Sequence, residues 1–417
     1  MSTQSRFPAF LRQDGRKGIR NAVLVIYLVE CAHHVARRIV SEVGDHQVQL
    51  IGFPGCYPNS YAFRMMEQLV CHPNVGGVVI VSLGCEGFDR DALANAVSTS
   101  GRPVETLVIQ HNGGTRATIA AGIAAVDRVR AAAANVEQTS MGLNDLIVGT
   151  ICGGSDGTSG ITANPAVGHC FDLLVDLGAT CIFEETGELI GCETVMAERA
   201  VTPDLGEAIV AAITKAERYY AVLGYGSFAP GNADGGLTTQ EEKSLGAYTK
   251  SGARPINGLI KPGERPGQPG LYLMDVVPDG DVRYGFPNIA DNAEIVELIA
   301  SGCHLILFTT GRGSVVGSAI SPVIKICANP DTFARLHDDM DVNAGRILTQ
   351  SASIGQVGTE IFEALVSVAA GHSSRSEELG HQEFILTYKQ FEPSGPHCLP
   401  HHARSVGRDT NSSDLNL

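Results

Sequence analysis

The stretch that decides the fold is Cys152-Gly153-Gly154-Ser155-Asp156-Gly157-Thr158-Ser159-Gly160-Ile161-Thr162-Ala163-Asn164-Pro165. An apolar run at 146–151 leads into it, and an apolar segment with helical spacing, 166–177, leads out. The order is strand, glycine-rich turn, helix. Four glycines in these fourteen residues let the backbone take positive φ and approach a ligand closely. A thiol, hydroxyls, a carboxylate and a carboxamide sit between them, and the following helix directs free N–H groups toward a bound anion. The stretch is expected to hold a ligand or catalytic groups rather than to be a plain capped turn.

Upstream, the same alternation repeats. Apolar runs at 22–29, 48–53, 75–83 and 104–110 are each followed by a segment of helical spacing, at 30–43, 61–70, 89–97 and 115–134. This predicts a parallel sheet with helices on both faces, in which ligands collect at the carboxyl ends of strands. Cys56, Cys85, Glu86 and His111 all fall just past predicted strand ends. Residues 135–142 are polar and weakly patterned, a boundary. Beyond it, strands are expected at 180–183, 271–277, 305–309 and 323–326, and helices at 205–222, 293–300 and 362–370, with a glycine-rich loop at 230–236. The fold class is therefore α/β: an N-terminal parallel-sheet domain (1–140), a larger second α/β domain (141–392), and a polar tail (393–417) without periodicity, expected to be disordered. Its His397, Cys398, His401 and His402 read as solvated.

A net charge of −15, from 30 Lys+Arg against 45 Asp+Glu, argues against nucleic acid and anionic membranes as partners. It leaves room for a small anionic substrate held by a local basic cluster. No apolar h-region opens the chain and no run approaches membrane-spanning length, so a cytoplasmic protein is expected. Eleven cysteines in that setting are buried thiols or metal ligands rather than a disulfide framework. No GxGxxG or GxxxxGK[ST] falls at a strand–helix junction, which disfavours a nucleotide-binding enzyme.

Taken together, several ordered strings resemble the altronate and galactarate dehydratase family. They are Asp14-Gly15-Arg16 with Gly18-Ile19-Arg20-Asn21, Gly55-Cys56, Leu83-Gly84-Cys85-Glu86 and the 152–165 stretch. Pro230-Gly231-Asn232, Gly235-Gly236 with Thr238-Thr239, Glu242-Lys243-Ser244-Leu245-Gly246, Pro269-Gly270-Leu271 and Thr310-Gly311-Arg312-Gly313 continue the match, which covers residues 10 to 390. The resemblance implies a lyase that removes water from a sugar acid to give a 2-keto-3-deoxy acid, with ferrous iron or a similar divalent metal. Single-chain members carry a small additional N-terminal domain, so a separate small subunit and an oligomer are expected here. Where altronate-type members have Gly-Arg-Gly-Thr-Pro, this chain has Gly311-Arg312-Gly313-Ser314-Val315, then Val316; where they have Pro-Glu, it has Gly187-Glu188. The Ser-Val-Val segment is similar to that of sulfolactate sulfo-lyase large subunits, relatives that expel sulfite.

β-Elimination needs a base beside the substrate carboxylate and an electrophile for the developing charge, a role that a divalent metal fills as a Lewis acid. Cys56, Cys85 and Cys152, brought to one rim, would give three thiolates and an open position suited to iron, with Glu86 as a further oxygen ligand. An iron–sulfur cluster and three inert buried thiols are the alternatives. Arg312 is the foremost substrate cation, since its planar fork matches a carboxylate or sulfonate. Arg20 and Lys243 also count among the substrate-binding candidates, with Asn21, Gly153, Gly154, Ser155, Asn164, Thr238, Thr239 and Ser314. Proton-transfer candidates are Asp156, Glu193, Lys325, His304 and His111; Lys325 stands in an apolar stretch that would lower its pKa.

Overall fold

The computed structural model describes residues 6–184, 186–223, 230–280, 290–386 and 388–389; the tail expected from 393 lies outside them. The chain opens with β1 (Arg6–Leu11) and β2 (Lys17–Gly18), which pair antiparallel. A β/α series follows: β3 (Ala22–Tyr27), α1 (Glu30–Val43), β4 (Val48–Gly52), α2 (Ser60–Val70), β5 (Val75–Ser82), α3 (Arg90–Thr99), β6 (Val104–Val108) and α4 (Thr115–Ala133). The four strands form a parallel sheet in the order β4-β3-β5-β6. Val-Gly-Gly-Val-Val-Ile-Val-Ser in β5 is buried throughout, as a central strand covered on both faces must be. Helices α1 and α4 cover one face. On the other face, α2 and α3 pack into a core shared with the second domain.

The polar 135–142 segment contains a strand, β7 (Gln138–Gly142), which pairs antiparallel with β1. Only Met141 of β7 is buried, so its pattern carries little apolar signal; β1 supplies the hydrogen bonds.

The second domain is built on a seven-stranded sheet among the described residues, in the order β10-β11-β9-β8-β12-β13-β14. Its strands are β8 (Ile147–Cys152), β9 (Thr180–Phe183), β10 (Ile256–Ile260), β11 (Gly270–Met274), β12 (Leu305–Thr310), β13 (Val323–Cys327) and β14 (Val342–Asn343), all parallel. Between and beyond them run α5 (Ala163–Asp176), α6 (Glu193–Ala197), α7 (Pro203–Leu223), α8 (Pro230–Asp234), α9 (Gln240–Thr249), α10 (Asp291–Ala300), α11 (Pro330–Arg335), α12 (Arg346–Thr349), α13 (Ile354–Ala369) and α14 (Arg375–Glu378). The expected loop at 230–236 is thus helical at its start, where Pro230 occupies the first position and its missing N–H costs nothing.

Helices α5, α7 and α13 pack on one face of this sheet. Helix α10 and the first domain close the other. A buried clasp crosses that interface: Glu297 of α10 accepts a hydrogen bond from the Tyr61 hydroxyl of α2 (2.5 Å) and one from the Lys389 ammonium (2.8 Å). Glu297 is fully buried and Lys389 nearly so.

Candidate active site

The chain passes from β8 to β9 on one side of the sheet and resumes at β12 on the other side of β8. A topological switch point of this kind, here between the carboxyl ends of β8 and β12, is where open parallel sheets form their ligand crevice. Both glycine-rich turns leave the sheet there. Gly153 donates its N–H to Thr309 O (3.0 Å), and the Gly154 carbonyl accepts from Gly311 N (3.1 Å) and Arg312 N (2.7 Å). Gly154 has φ +58°, a left-handed conformation that a side chain would strain. Gly153 is required for space: a Cβ there would lie 2.0 Å from the Asp291 carboxylate and 2.5 Å from the Phe308 ring.

A cluster of polar groups lies in the mouth of this crevice. Cys152, the last residue of β8, and Ser155 are both buried. The Lys243 ammonium donates to Ser155 Oγ (2.8 Å) and Cys152 Sγ (3.1 Å), and pairs with Glu188 Oε1 at 2.7 Å. The Cys152 thiol donates to Glu188 Oε2 (3.2 Å). Lys250 lies 4.0 Å from Glu188. Lys243 and Lys250 are seven residues apart, two helical turns, so α9 brings both to one face. Thr239 caps α9 in a box with Glu242, whose carboxylate also accepts from Thr238 N and Oγ1. Thr238 and Thr239 therefore aim the lysine helix instead of pointing at the crevice.

Electrostatics divides the acids of the cluster. Burial, then the charge of Glu188, raises the Asp291 carboxyl above its usual range, with Lys243 opposing. The Tyr220 hydroxyl, packed against Gly187, is raised by burial and by Glu294, Glu184 and Glu188. The cluster thus holds one carboxylate paired with ammonium and a second that keeps its proton to higher pH.

Arg312 stands at the open edge. Its backbone is fixed by Gly154 and its stem lies beside Gly235, while the exposed guanidinium has no hydrogen bond or ion pair among the described residues. Asn164 underpins the site: its amide donates to Gly246 O (3.0 Å) and accepts from Thr309 Oγ1 (2.8 Å), tying α5, α9 and β12 together. Asp156 is committed to its own turn. It accepts from Thr158 N and Oγ1 (2.9 and 2.6 Å) and from Asn329 Nδ2 (2.8 Å), and it packs against Gly311. Ser314 accepts from Val316 N (3.2 Å) in a local turn.

Other residues singled out from sequence lie elsewhere. Arg20 and Asn21 precede β3 at the amino end of its sheet. Arg20 forms a two-pronged pair with Glu377 (2.7 and 3.0 Å), and Asn21 accepts from Arg12 and donates to Ala133 O. His304 is buried at the amino end of β12. Its ring accepts from Ile147 N (3.0 Å) and contacts Lys17 O (2.9 Å), and burial lowers its pKa to about 4. Glu193 accepts from Gly191 N (2.9 Å) in its own turn. His111 is exposed beyond β6. Lys325 is buried in mid-strand on the interdomain face, 3.1 Å from His381 Nδ1; burial lowers its pKa, against Asp339, Asp341 and Glu383. Glu188, Lys250 and Asp291 were not among the site residues expected from sequence; the local signals were the Gly187-Glu188 departure from altronate-type members and the seven-residue spacing of Lys243 and Lys250.

Of the expected metal ligands, Cys56 and Cys85 are exposed on touching loops, where Gly87 N donates to Cys56 O (2.7 Å). Glu86 accepts from Ser82 Oγ (2.5 Å) and Gly84 N (2.8 Å), and Cys152 is enclosed by Lys243 and Glu188. Among the described residues no three His, Cys, Asp or Glu side chains converge as a metal site. The donors as placed do not fit a resident iron or cluster. Every described cysteine is a free thiol, and no helix among the described residues is long and apolar enough to cross a membrane.

Residues 143–391 match the family model for D-galactarate/Altronate dehydratase, C-terminal, and residues 9–134 match that for D-galactarate dehydratase/Altronate hydrolase, second domain. The (2R)-sulfolactate sulfo-lyase subunit beta of Chromohalobacter salexigens is 33% identical over 398 residues, 91% of this chain and 97% of that protein. Altronate dehydratase of Bacillus subtilis is 29% identical over 398 residues, 91% of this chain and 77% of that protein. Galactarate dehydratase (L-threo-forming) of Escherichia coli is 32% identical over 321 residues, 74% of this chain and 59% of that protein. With two family models spanning both domains and a relative matched almost end to end, the chain belongs to the galactarate/altronate dehydratase family of lyases.

Proposed function

We propose that this lyase catalyses β-elimination from a small anionic hydroxy acid, foremost the dehydration of a sugar acid to a 2-keto-3-deoxy acid. The supporting observation is the buried Lys243 ammonium, paired with Glu188 and bonded to Ser155 and Cys152, at a crevice edged by the exposed Arg312. Arg312 binds the substrate carboxylate. Glu188 takes the proton from the carbon beside it, and Lys243 stabilises the enediolate charge that develops, an electrostatic role strongest in a water-poor site. Asp291, protonated to higher pH than an ordinary carboxyl, gives its proton to the departing hydroxyl. Water leaves, the enol remains, and its return to the keto form gives the product.

A second reading, expulsion of sulfite from (2R)-sulfolactate to leave pyruvate, has its own support. The sulfo-lyase relative is matched over 97% of its length, and the Ser314-Val315-Val316 segment follows Arg312 after a single glycine, Gly313. That relative is named a subunit, and altronate dehydratase of Bacillus subtilis is longer than the matched region, so a separate small subunit is part of the proposal under either reading.

The test is to purify the chain under nitrogen with its co-purifying partners and supply altronate, galactarate and sulfolactate in turn, with and without ferrous iron. Product 2-keto acid and free sulfite are measured separately. A keto acid from a sugar acid with no sulfite supports dehydration, and sulfite with pyruvate selects the second reading. Inactivity on all three, with the partner present, refutes both. The iron arms read the metal requirement that the family resemblance implies.

A further inference from the structure

The opposite pole of the molecule carries a feature that the elimination chemistry does not use. At the amino ends of the strands a cavity of about 430 Å³ opens between the domains, lined by Arg16 and Lys17 from the N-terminal segment, Pro73 from the first domain, and Asp145, Arg265 and His304 from the second. A neighbouring cavity of about 490 Å³ adjoins it at Gly15 and is lined by Arg12 and Arg102, with Glu137 on its rim. The chain as a whole is strongly acidic, yet five cationic side chains gather here.

Three of them converge on a single turn. Arg12 Nε donates to Pro73 O (2.7 Å), Arg16 Nη2 to Cys71 O (2.6 Å), and Arg102 to Val75 O (2.9 Å) and His72 O (3.0 Å). Those carbonyls satisfy the N–H groups but carry no net charge; the end of α2 contributes only about half a negative charge. Asp14 pairs with Arg16 (2.6 Å) and Asp145 with Lys17 (2.7 Å). Arg12, Arg102 and Arg265 have no carboxylate pair among the described residues, and the Arg265 guanidinium has no hydrogen bond there either. The cations also repel one another. Burial and then Arg102 bring Arg12 down to about 9, burial and then Arg16 bring Arg102 down to about 10, and burial and then Arg16 lower Arg265. An unbalanced positive field in a defined cavity is the physical condition for anion capture.

We propose that this interdomain cavity binds a small oxyanion, held by Arg265, unpaired among the described residues, and flanked by Arg16 and Lys17, which Asp14 and Asp145 hold in place. Because its walls come from both domains, the bound anion ties them together.

Inorganic phosphate and sulfate are the probes. Each is titrated into the full chain at constant ionic strength, balanced with chloride, and followed by calorimetry and by thermal unfolding. Saturable binding and a rise in unfolding temperature beyond the chloride control are expected. Arg265→Gln, at an exposed position, should weaken binding at least tenfold, since it removes a charged two-pronged donor. Equal stabilisation by chloride, or unchanged affinity in Arg265→Gln, overturns the assignment. If the variant fails to fold, the wild-type titration against chloride still decides the matter.

Discussion

Replacing Lys389 with Met would leave a carboxylate stranded at the domain interface. Glu297 is fully buried, and its Oε1 holds both the Lys389 ammonium at 2.8 Å and the Tyr61 hydroxyl at 2.5 Å. Its second oxygen has no hydrogen-bond partner among the described residues. At an effective dielectric of about 20, opposite charges 2.8 Å apart attract by about 6 kcal/mol. Desolvation offsets part of this, and the measured cost of breaking a buried pair is about 3–5 kcal/mol. The Lys389→Met variant should lose that much in urea denaturation, and Glu297→Gln should lose a similar amount by stranding the ammonium. The double variant should recover to within about 1 kcal/mol of wild type, because neither charge is left alone. The clasp also has a pH signature. Burial pushes the Lys389 pKa down, but the charge and hydrogen bond of Glu297 more than offset this, so the net shift is upward. The pair's contribution is then complete below the unfolded-state lysine value of about 10.4 and lost as pH rises through the higher folded-state value. A loss under 1 kcal/mol in Lys389→Met, or a double variant whose loss is the sum of the singles, would refute the ion pair as the support that holds Glu297 in place for Tyr61 across the domain interface.

Lys243→Met should lower kcat by about 10²–10³ while far-ultraviolet circular dichroism stays native, the cost of removing one preorganised group that stabilises transition-state charge; an unchanged kcat removes it from the site. Gly153→Ala places a Cβ 2.0 Å from Asp291 and 2.5 Å from Phe308. It should cost about 1–3 kcal/mol by overpacking and reduce turnover by displacing the acid, which steady-state kinetics with calorimetry would check. His304 has its folded-state pKa depressed to about 4 by burial, so the stability it contributes is present above the unfolded value of about 6.5 and lost as pH falls toward 4. His304→Gln should flatten that acid limb in pH-dependent unfolding, with KM and kcat unchanged.

The parallel architecture was legible because β3, β5, β8 and β12 are continuous apolar runs, each followed by turn residues and a helical period. The antiparallel β1–β7 pair was not, since Phe7, Ala9 and Met141 carry its burial among polar neighbours. In the site, the thiol, hydroxyl and Arg312 were readable from the two glycine turns that hold them. Glu188 and Asp291 were not, because nothing local says that the 3-10 turn after β9 and the start of α10 meet above Gly153; only the order of strands brings them there. Arg20 and Asn21 show the converse hazard. They belong to a well-matched motif, but they precede a strand, and in a parallel sheet that places them at the end away from the crevice.

The Gly154 carbonyl takes both Gly311 N and Arg312 N, and the Thr310 hydroxyl bridges Gly154 O and Gly313 N, so the backbone that presents Arg312 is fixed by groups that precede Ser314. Ser314 and the exposed Val315 are therefore free to vary, whereas Val316 packs into the interdomain core. Relatives could trade the first two, and with them substrate preference, without rebuilding the anchor that presents the arginine.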